Sequence, residues 1–274
     1  MRLYAYAKIN LTLDIVGKRE DGYHLIDSVF QSVGIYDIVD VKKSNEIIIH
    51  CKDLKTEDNI AFVAAKEFFS FTNITGGAEI NIEKHIPLLS GLGGGSADAA
   101  AVIFALDKIY NTKLSMDGLK EIALKCGADV PFFLYGGTAR VRGIGEDIGR
   151  ISDIKGYYAL LVKAGDKKST KEMYKRLDSL PVQNKKTADF LKAENKNRFD
   201  FVFNAFSPLA ADPVIIMLLK SQKPLCASVS GSGPTHFAVF GSETDAAKAA
   251  QEIRKKGYEP IIAPFVNIGL KAAD

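Results

Sequence analysis

Cysteine is scarce in this sequence of 274 residues. Its three cysteines, Cys51, Cys126 and Cys226, are far apart, and neither a Cys-x-x-Cys pair nor a histidine cluster accompanies them. An odd number of widely separated cysteines argues against a disulfide framework, and the missing pairs argue against a zinc site. We therefore expect a reduced, cytoplasmic protein.

Long apolar runs and a strong net charge are also missing. No apolar stretch reaches the length that a membrane-spanning helix needs, and the first residues resemble a strand rather than a secretory signal. The formal net charge of +3 is too small to indicate nucleic-acid binding. We expect no nucleic-acid or membrane partner, and a chain that is a monomer or a weak homodimer.

What remains is an ordinary globular composition, with 47% hydrophobic and 25% charged residues. The length suits two small domains. Predicted strands and helices mix without a strict βαβ rhythm, which favours an α+β fold over a doubly wound sheet. The pattern restarts after Ile151, so we predict one domain at residues 1–150 and another at 151–274.

The first predicted strand runs from Leu3 to Ile15, because apolar residues occupy every odd position. On a regular strand, Lys8, Asn10 and Thr12 would share the other face. The sequence therefore predicts three polar side chains side by side on one surface.

Local signals predict the other elements of the first half. Asp58 is the predicted N-cap of a helix at 59–71, and Ser115 is a predicted cap of the next helix. Gly127 is predicted to end that helix in a left-handed conformation. Residues 132–142 look like two strands joined by a glycine turn. Further strands are predicted at 25–33, 37–41, 47–51 and 78–83, and a further helix at 97–110.

A dense glycine loop precedes this last helix, where residues 91–96 are Gly-Leu-Gly-Gly-Gly-Ser. Consecutive glycines let backbone N–H groups converge on an anion, and the helix start adds unpaired N–H groups and a positive dipole end. A Walker loop would need a lysine before Ser96, and a dinucleotide fingerprint would need glycine at that position. The loop predicts a phosphate site; the alternative is a flexible loop before a capped helix.

The loop and several other motifs resemble those of the GHMP kinases, which include galactokinase, homoserine kinase and mevalonate kinase. Residues 87–97 match the family's loop in register. The other motifs follow in the family's order: Ala-Lys-Ile-Asn-Leu at 7–11, Asp-Gly-Tyr-His-Leu at 21–25, Gly-Ala-Asp-Val-Pro-Phe at 127–132 and Ser-Gly-Ser-Gly-Pro-Thr at 230–235. Ordered motifs spread along the chain are far more specific than one glycine loop.

These motifs look most like the branch that phosphorylates the 2-hydroxyl of 4-diphosphocytidyl-2-C-methyl-D-erythritol, with ATP and Mg²⁺, in non-mevalonate isoprenoid biosynthesis. The resemblance implies a ribosomal protein S5 domain 2-like N-terminal domain and a ferredoxin-like C-terminal domain. One alternative is another GHMP kinase of the homoserine or mevalonate type, against which the Gly-Tyr-His motif argues. The other is a non-catalytic ligand-binding protein on this fold, against which the retained Lys8 and Asp129 argue.

The resemblance also implies roles for residues that are ambiguous alone. Asp129 would be the general base and Lys8 the cation beside it, although by themselves they fit a turn aspartate and a solvated strand lysine. Ser96 would be a Mg²⁺ ligand. The ATP-binding residues would be Pro87, Leu88, Leu89, Ser90, Gly91, Leu92, Gly93, Gly94, Gly95, Ser96 and Ala97.

At the other end of the site, Tyr23 and His24 would contact the cytidine and Asn10 the substrate alcohol. Tyr174 is our candidate for a second aromatic wall, although a helical tyrosine equally serves core packing. The second glycine loop would close over the substrate, or form only a tight hairpin. Its predicted substrate-binding residues are Ser230, Gly231, Ser232 and Gly233.

Two stretches depart from the family pattern. Leu89 and Ser90 stand where the family loop usually has smaller residues, so the local backbone conformation of the loop does not follow from the family pattern. Asn-Ala-Phe-Ser at 204–207 replaces the more usual Asn-Asp-Leu-Glu, and we predict no substrate or metal role for it.

Overall fold

The computed structural model describes residues 1–52, 59–165, 169–180 and 186–273. Its strands are β1 (Arg2–Lys18), β2 (His24–Ser44), β3 (Ile48–Cys51), β4 (Gly77–Glu83), β5 (Thr138–Gly143), β6 (Asp147–Arg150), β7 (Tyr158–Lys163), β8 (Phe203–Asn204), β9 (Cys226–Val229), β10 (Thr235–Phe240), β11 (Ile261–Pro264) and β12 (Leu270–Ala272). Its α-helices are α1 (Ile60–Thr72), α2 (Gly94–Tyr110), α3 (Met116–Cys126), α4 (Val130–Tyr135), α5 (Thr170–Leu177), α6 (Thr187–Lys192), α7 (Ser207–Ala210), α8 (Pro213–Ser221) and α9 (Glu243–Arg254), and a 3-10 helix spans Asn195–Phe201.

The first sheet is built on the antiparallel pair β1 and β2. The second edge of β2 pairs with β4 in its later half and with β5 in its earlier half. The strands predicted at 25–33 and 37–41 are therefore one continuous strand. The next strand, β3, lies parallel to β4 at the outer edge rather than beside β2.

A bulge between Tyr6 and Ala7 changes which side of the sheet the β1 side chains face. Before it, Leu3 and Ala5 belong to the core beneath α1, α2 and α3. After it, Ala7 joins the core that packs against the second sheet. An irregularity of this kind flips the alternation of a strand, because side chains alternate with a period of two.

A second bulge, at Leu11, separates Asn10 from Thr12. Leu13 rather than Thr12 lines the cleft beside Lys8 and Asn10. The Thr12 hydroxyl instead accepts the backbone N–H of Val29 at 2.9 Å. The prediction that Lys8, Asn10 and Thr12 share a face is thus wrong for Thr12.

The ends of helices α1 and α3 differ in detail from the predictions. The N-cap of α1 is Asn59, whose Oδ1 accepts the N–H of Ala61 at 3.0 Å; the predicted cap, Asp58, lies outside the described residues. Gly127 does end α3, but its φ of 162° is extended rather than left-handed.

The first of the two strands predicted at 132–142 is instead the short helix α4. Pro131 lies in its first turn, where proline is favoured. Phe132 and Phe133 are both fully buried, and the centroid of the Phe132 ring lies 5.2 Å from that of Phe30. Two adjacent phenylalanines are compatible with both helix and strand periodicity, so tertiary packing decided that this segment is a helix.

The second sheet has the order β11-β7-β10-β9, with every neighbouring pair antiparallel. Helices α8 and α9 pack on one face, where Leu160 and Val162 of β7 meet Ile215 and Ala250. This is a ferredoxin-like arrangement, so the predicted α+β class and this C-terminal fold are confirmed.

The chain crosses back into the first sheet after residue 151. Strands β8 and β12 both pair with β1, and Phe265 forms a bridge to Val33. A domain boundary at residue 150 therefore stays a prediction. Within the described ranges, no helix combines the length and apolar composition that a bilayer crossing requires.

Candidate active site

A cleft of about 1030 Å³ opens where the two sheets meet. Its walls come from β1 and the start of β2, the glycine loop and first turn of α2, the residues before α4, helix α5, and the β9–β10 turn. From the predicted residues it collects Lys8, Asn10, Tyr23, His24, Pro87, Leu88, Leu89, Ser90, Gly91, Gly93, Gly94, Gly95, Ser96, Asp129, Tyr174, Gly231 and Ser232.

The glycine loop brings the start of α2 to the cleft. Gly93 is the N-cap with a φ of 77°, and Gly94 and Gly95 form the first helical positions. The first N–H groups of an α-helix have no intrahelical partner, and these residues line the cleft without side chains in the way. Ser96 lies inside the first turn of the helix, and the N-cap position belongs to Gly93.

The second glycine loop docks directly on the first. The Ser230 hydroxyl donates to the carbonyl of Gly91 at 3.0 Å, and the N–H of Thr235 donates to the carbonyl of Ser90 at 3.2 Å. Gly231 and Ser232 line the cleft, whereas Ser230 and Gly233 are not among its lining residues. Ser230 thus holds the two loops together.

Leu89 and Ser90, the two loop residues that depart from the family pattern, lie in different environments. Leu89 adopts a left-handed φ of 52° and is 69% exposed, so its side chain lies at the rim of the cleft. Ser90 is buried, and its hydroxyl accepts the N–H of Leu92 at 3.4 Å. Leu92 and Ala97, also predicted to bind ATP, have side chains buried in the two cores.

Lys8 and Asp129 meet at the centre of the cleft. The Nζ atom of Lys8 lies 3.4 Å from Oδ2 of Asp129 and donates to Oδ1 of Asn10 at 2.8 Å. It also lies 4.7 Å from the centroid of the Phe30 ring. The lysine side chain is 4% exposed and the aspartate 38%, so a buried cation holds a carboxylate that faces the cleft.

Asn10 supports the lysine from the same strand. Its Oδ1 accepts from Lys8, and its Nδ2 donates to the Ser28 hydroxyl at 3.3 Å. Ser28 donates in turn to the carbonyl of Thr12. Because both ends of the amide are engaged, Asn10 positions Lys8; its contact with a substrate alcohol stays a prediction.

One end of the cleft is aromatic. The His24 ring stacks on Tyr174 with centroids 4.8 Å apart and an interplanar angle of 21°, and Phe206 meets Tyr174 edge-on at 4.9 Å. Burial, followed by the nearby charge of Asp129, raises the pKa of Tyr174, so its hydroxyl stays protonated. Tyr23 lies beside them and is 62% exposed.

Sequence reasoning missed two charged residues at this end. Oδ1 of Asp178 lies 2.6 Å from Nε2 of His24, and Oδ2 accepts from Nζ of Lys18, also at 2.6 Å. The signal was available, because Tyr174 and Asp178 are four apart and lie on one face of a helix.

Beside the glycine loop, the cleft is lined by Asn59, Ile60, Lys84 and Ile86. Behind it, Nζ of Lys84 donates to Oδ2 of Asp98 at 2.6 Å and to a carboxylate oxygen of Asp37. No sequence pattern indicated this buried cluster.

The buried cluster anchors the chain that leads into the glycine loop. Oδ1 of Asp37 accepts the N–H groups of His85 and Ile86 at 2.6 and 2.8 Å. Burial raises the pKa of Asp98 to about 8, against the opposing attraction of Lys84.

Asn204 binds backbone groups of two neighbouring segments. Its Nδ2 donates to the carbonyls of Val229 and Gly231 at 2.7 and 2.8 Å, and its Oδ1 accepts the N–H of Phe206 at 2.8 Å. Asn204 supports the second glycine loop from behind and does not line the cleft.

A metal ion would find few protein ligands here. In the part of the chain that the structure describes, no three His, Cys, Asp or Glu side chains group in a way that could hold one. Ser96 contributes a single hydroxyl to the cleft. Any ion at this loop would therefore depend mainly on oxygens of a bound ligand.

Comparisons with known proteins agree with this geometry. Residues 59–137 match the GHMP kinases N terminal domain, and residues 209–259 match the GHMP kinases C terminal domain. A 4-diphosphocytidyl-2-C-methyl-D-erythritol kinase of Clostridium botulinum is 38% identical over 96% of this chain and 99% of its own. Its counterpart in Clostridium beijerinckii is 40% identical over 93% of this chain and 96% of its own.

Solved structures show the same fold. A crystal structure of 4-(cytidine 5'-diphospho)-2C-methyl-D-erythritol kinase superposes with a TM-score of 0.79 and 28% identity, covering 97% of this chain and 99% of that one. A homoserine kinase from Cytophaga hutchinsonii has a TM-score of 0.77 at 20% identity, over 99% of this chain and 96% of its own. The second likeness concerns the fold alone.

Proposed function

The chain belongs to the GHMP kinase family, in its branch of 4-diphosphocytidyl-2-C-methyl-D-erythritol kinases, and from this premise we propose its reaction. It transfers the γ-phosphoryl group of ATP to the 2-hydroxyl of 4-diphosphocytidyl-2-C-methyl-D-erythritol, a step of non-mevalonate isoprenoid biosynthesis. One observation carries the proposal: a continuous cleft joins the glycine loop to the aromatic end, with Lys8 and Asp129 between them.

The ATP phosphates bind at residues 87–97. Phosphate oxygens are attracted by the unpaired N–H groups and the positive dipole end of α2, and Gly93 to Gly95 let the backbone approach them. The nucleoside of ATP extends toward Asn59 and Ile60, which line the cleft beside the glycine loop.

The residues present fit Mg²⁺ as an ion held mainly by nucleotide. Mg²⁺ usually binds through one or two protein oxygens together with substrate phosphates and waters. Ser96, which lines the cleft in the first turn of α2, would supply that oxygen. When bound, the ion offsets negative charge on the phosphate oxygens.

Asp129 and Lys8 carry out the proton and charge chemistry. The carboxylate of Asp129 accepts the proton of the attacking hydroxyl, an effect worth about 10²–10⁴-fold in rate. The ammonium of Lys8 lies 3.4 Å from this carboxylate and neutralises charge that develops on the transferred phosphoryl group. Its burial beside Phe30 strengthens this effect, because fewer waters screen it.

The cytidine end of the substrate binds at the aromatic end of the cleft. Tyr174 presents a half-buried aromatic surface, and Tyr23 an exposed one, on which a base can stack. Lys171 and Lys175 also line this end and add positive charge for a diphosphate. Gly231 and Ser232 cover the substrate from the second glycine loop.

A coupled assay of ADP release tests the proposal. The purified chain should turn over 4-diphosphocytidyl-2-C-methyl-D-erythritol with ATP and Mg²⁺, and should show no turnover with homoserine or mevalonate. Turnover with either of these two and none with the cytidine substrate would overturn the assignment. Binding of ATP and substrate without any ADP release would favour a non-catalytic protein. We also propose that the protein is cytoplasmic and is a monomer or a weak homodimer. Gel filtration with light scattering measures its oligomeric state.

A further inference from the structure

His24 is held from two directions by a single helix. Tyr174 stacks on its ring, and Asp178, one turn later on α5, lies 2.6 Å from its Nε2. Across the β1–β2 pair, Lys18 lies directly opposite His24 and reaches the second oxygen of Asp178. The contact therefore joins the first sheet to α5.

Helix stability does not explain why an aspartate occupies position 178. It is the C-cap residue of α5, and a negative charge at a helix C-terminus is disfavoured by the macrodipole. The ion pair with Lys18 is half-exposed, and pairs of this kind add little to stability. The His24 side chain, by contrast, is 8% exposed, so its orientation in the cleft is specified.

The hydrogen bond also determines which ring nitrogen of His24 carries a hydrogen. Bonds from Lys18 and His24 lower the pKa of Asp178, so its carboxylate is ionised and accepts only. Nε2 must then be the donor, and in the neutral imidazole Nδ1 is an acceptor. The described residues place no hydrogen-bond partner on Nδ1, and His24 lines the cleft.

The geometry points to Asp178 as a positioning residue that makes the site specific for cytosine over uracil, by holding His24 with Nδ1 as a hydrogen-bond acceptor. The inference rests on the proposed function, because it assumes that the base of the substrate meets His24. Cytosine presents an amino group that donates to Nδ1, whereas uracil presents a carbonyl oxygen that repels it. A mismatch that leaves buried polar groups unpaired lowers kcat/KM by about 10- to 100-fold.

Kinetics with two substrates test this role. Wild type, Asp178→Ala and Asp178→Asn are compared on the cytidine substrate and on the same compound with uracil as its base. We expect Asp178→Ala to raise KM for the cytidine substrate and to reduce the cytosine-over-uracil ratio of kcat/KM by about 10-fold or more. KM for ATP should not change. Asp178→Asn should restore much of the ratio, because its amide oxygen still accepts from Nε2.

Two further variants separate this role from a structural one. Lys18→Met removes the ion pair but leaves the bond to His24, and should retain the selectivity. Asp200→Ala, an exposed aspartate outside the cleft, should match wild type in every constant. Unchanged selectivity in Asp178→Ala, or an equal loss in Lys18→Met, would overturn the inference.

Nitrogen NMR of the histidine side chains gives a readout independent of turnover. The chain has four histidines, so a His24→Gln spectrum assigns the His24 signals. Wild type should show a protonated Nε2 and an unprotonated Nδ1, and Asp178→Ala should show a mixture of the two tautomers. The same mixture in wild type would refute the positioning role. Absence of turnover of the cytidine substrate by wild type would instead refute the proposed function.

Discussion

The hydroxyl of Ser230 donates to the backbone carbonyl of Gly91 at 3.0 Å, and this bond joins the two glycine loops. Gly91 leads into α2 beside the first sheet, whereas Ser230 follows β9 of the second sheet. A Cβ atom on Gly91 would lie 2.6 Å from the carbonyl oxygen of Ser230. The shape of the phosphate end of the cleft therefore depends on close approach of two backbones.

Gly91→Ala should disrupt this contact. The residue has a left-handed φ of 80°, and the added methyl group would collide with the second loop. We expect the free energy of unfolding to fall by about 1–3 kcal/mol and KM for ATP to rise. Urea unfolding and steady-state kinetics measure the two effects.

Gly149→Ala on β6 is the matched control, because nothing lies within 4 Å of its added Cβ. Its unfolding free energy should be unchanged or higher by up to about 1 kcal/mol. Gly91→Ala with wild-type stability and ATP affinity would contradict the docking argument.

Asp129→Asn should lower kcat by about 10²–10⁴-fold and leave KM for ATP nearly unchanged, because the amide keeps the shape but cannot take the proton. ADP release measures the rate, and calorimetric titration of the substrate confirms binding. Asp117→Asn, an exposed residue on α3, is the control and should behave as wild type. A variant at position 129 with the wild-type rate would exclude the general-base role.

Lys8→Met retains the apolar stem that packs beside Phe30 but removes the charge next to Asp129. We expect kcat to fall by about 10²–10³-fold. Stability should fall by about 1–3 kcal/mol, because Oδ1 of Asn10 loses its donor.

Lys42→Met, an exposed position on β2, controls for loss of a lysine and should change neither quantity. If kcat in Lys8→Met stayed within a few-fold of wild type, the cation would have no part in the chemistry.

The buried pair of Asp37 and Asp98 around Lys84 should make stability depend on pH. Burial raises the pKa of Asp98 from its ordinary value of 3.8 to about 8 in the folded protein. As the pH rises, the carboxyl group of Asp98 loses its proton in the unfolded chain before it does so in the folded protein. The contribution of Asp98 to the free energy of unfolding is therefore fully present below pH 3.8 and is lost as the pH rises to about 8.

Asp98→Asn removes this dependence, because the amide does not ionise. The unfolding free energy of the variant, minus that of wild type, should increase between pH 5 and 8 by up to about 1.4 kcal/mol per pH unit. Urea unfolding at a series of pH values measures this difference, in which contributions of carboxyl groups far from Asp98 cancel. A difference that stays flat over this window would show that Asp98 is already ionised there.

Much of the site followed from short stretches of sequence. The glycine loop indicated a phosphate site at a helix start, and the ordered motifs indicated the family and predicted roles for Lys8, His24 and Asp129. These inferences depend on backbone freedom and on residue types within a few positions, which a sequence states directly. The same holds for the capping of α3 by Ser115, whose hydroxyl accepts the N–H of Gly118 at 3.2 Å.

Only the tertiary structure decided which of these residues meet. The bulge at Leu11 brings Leu13 rather than Thr12 to the cleft, packing turns residues 130–135 into a helix, and α5 carries Asp178 to His24. The buried cluster of Asp37, Lys84 and Asp98 likewise joins segments far apart in the chain. Strand register, burial and ion pairs between distant segments are energies of the whole packed chain, and no local pattern of residues contains them.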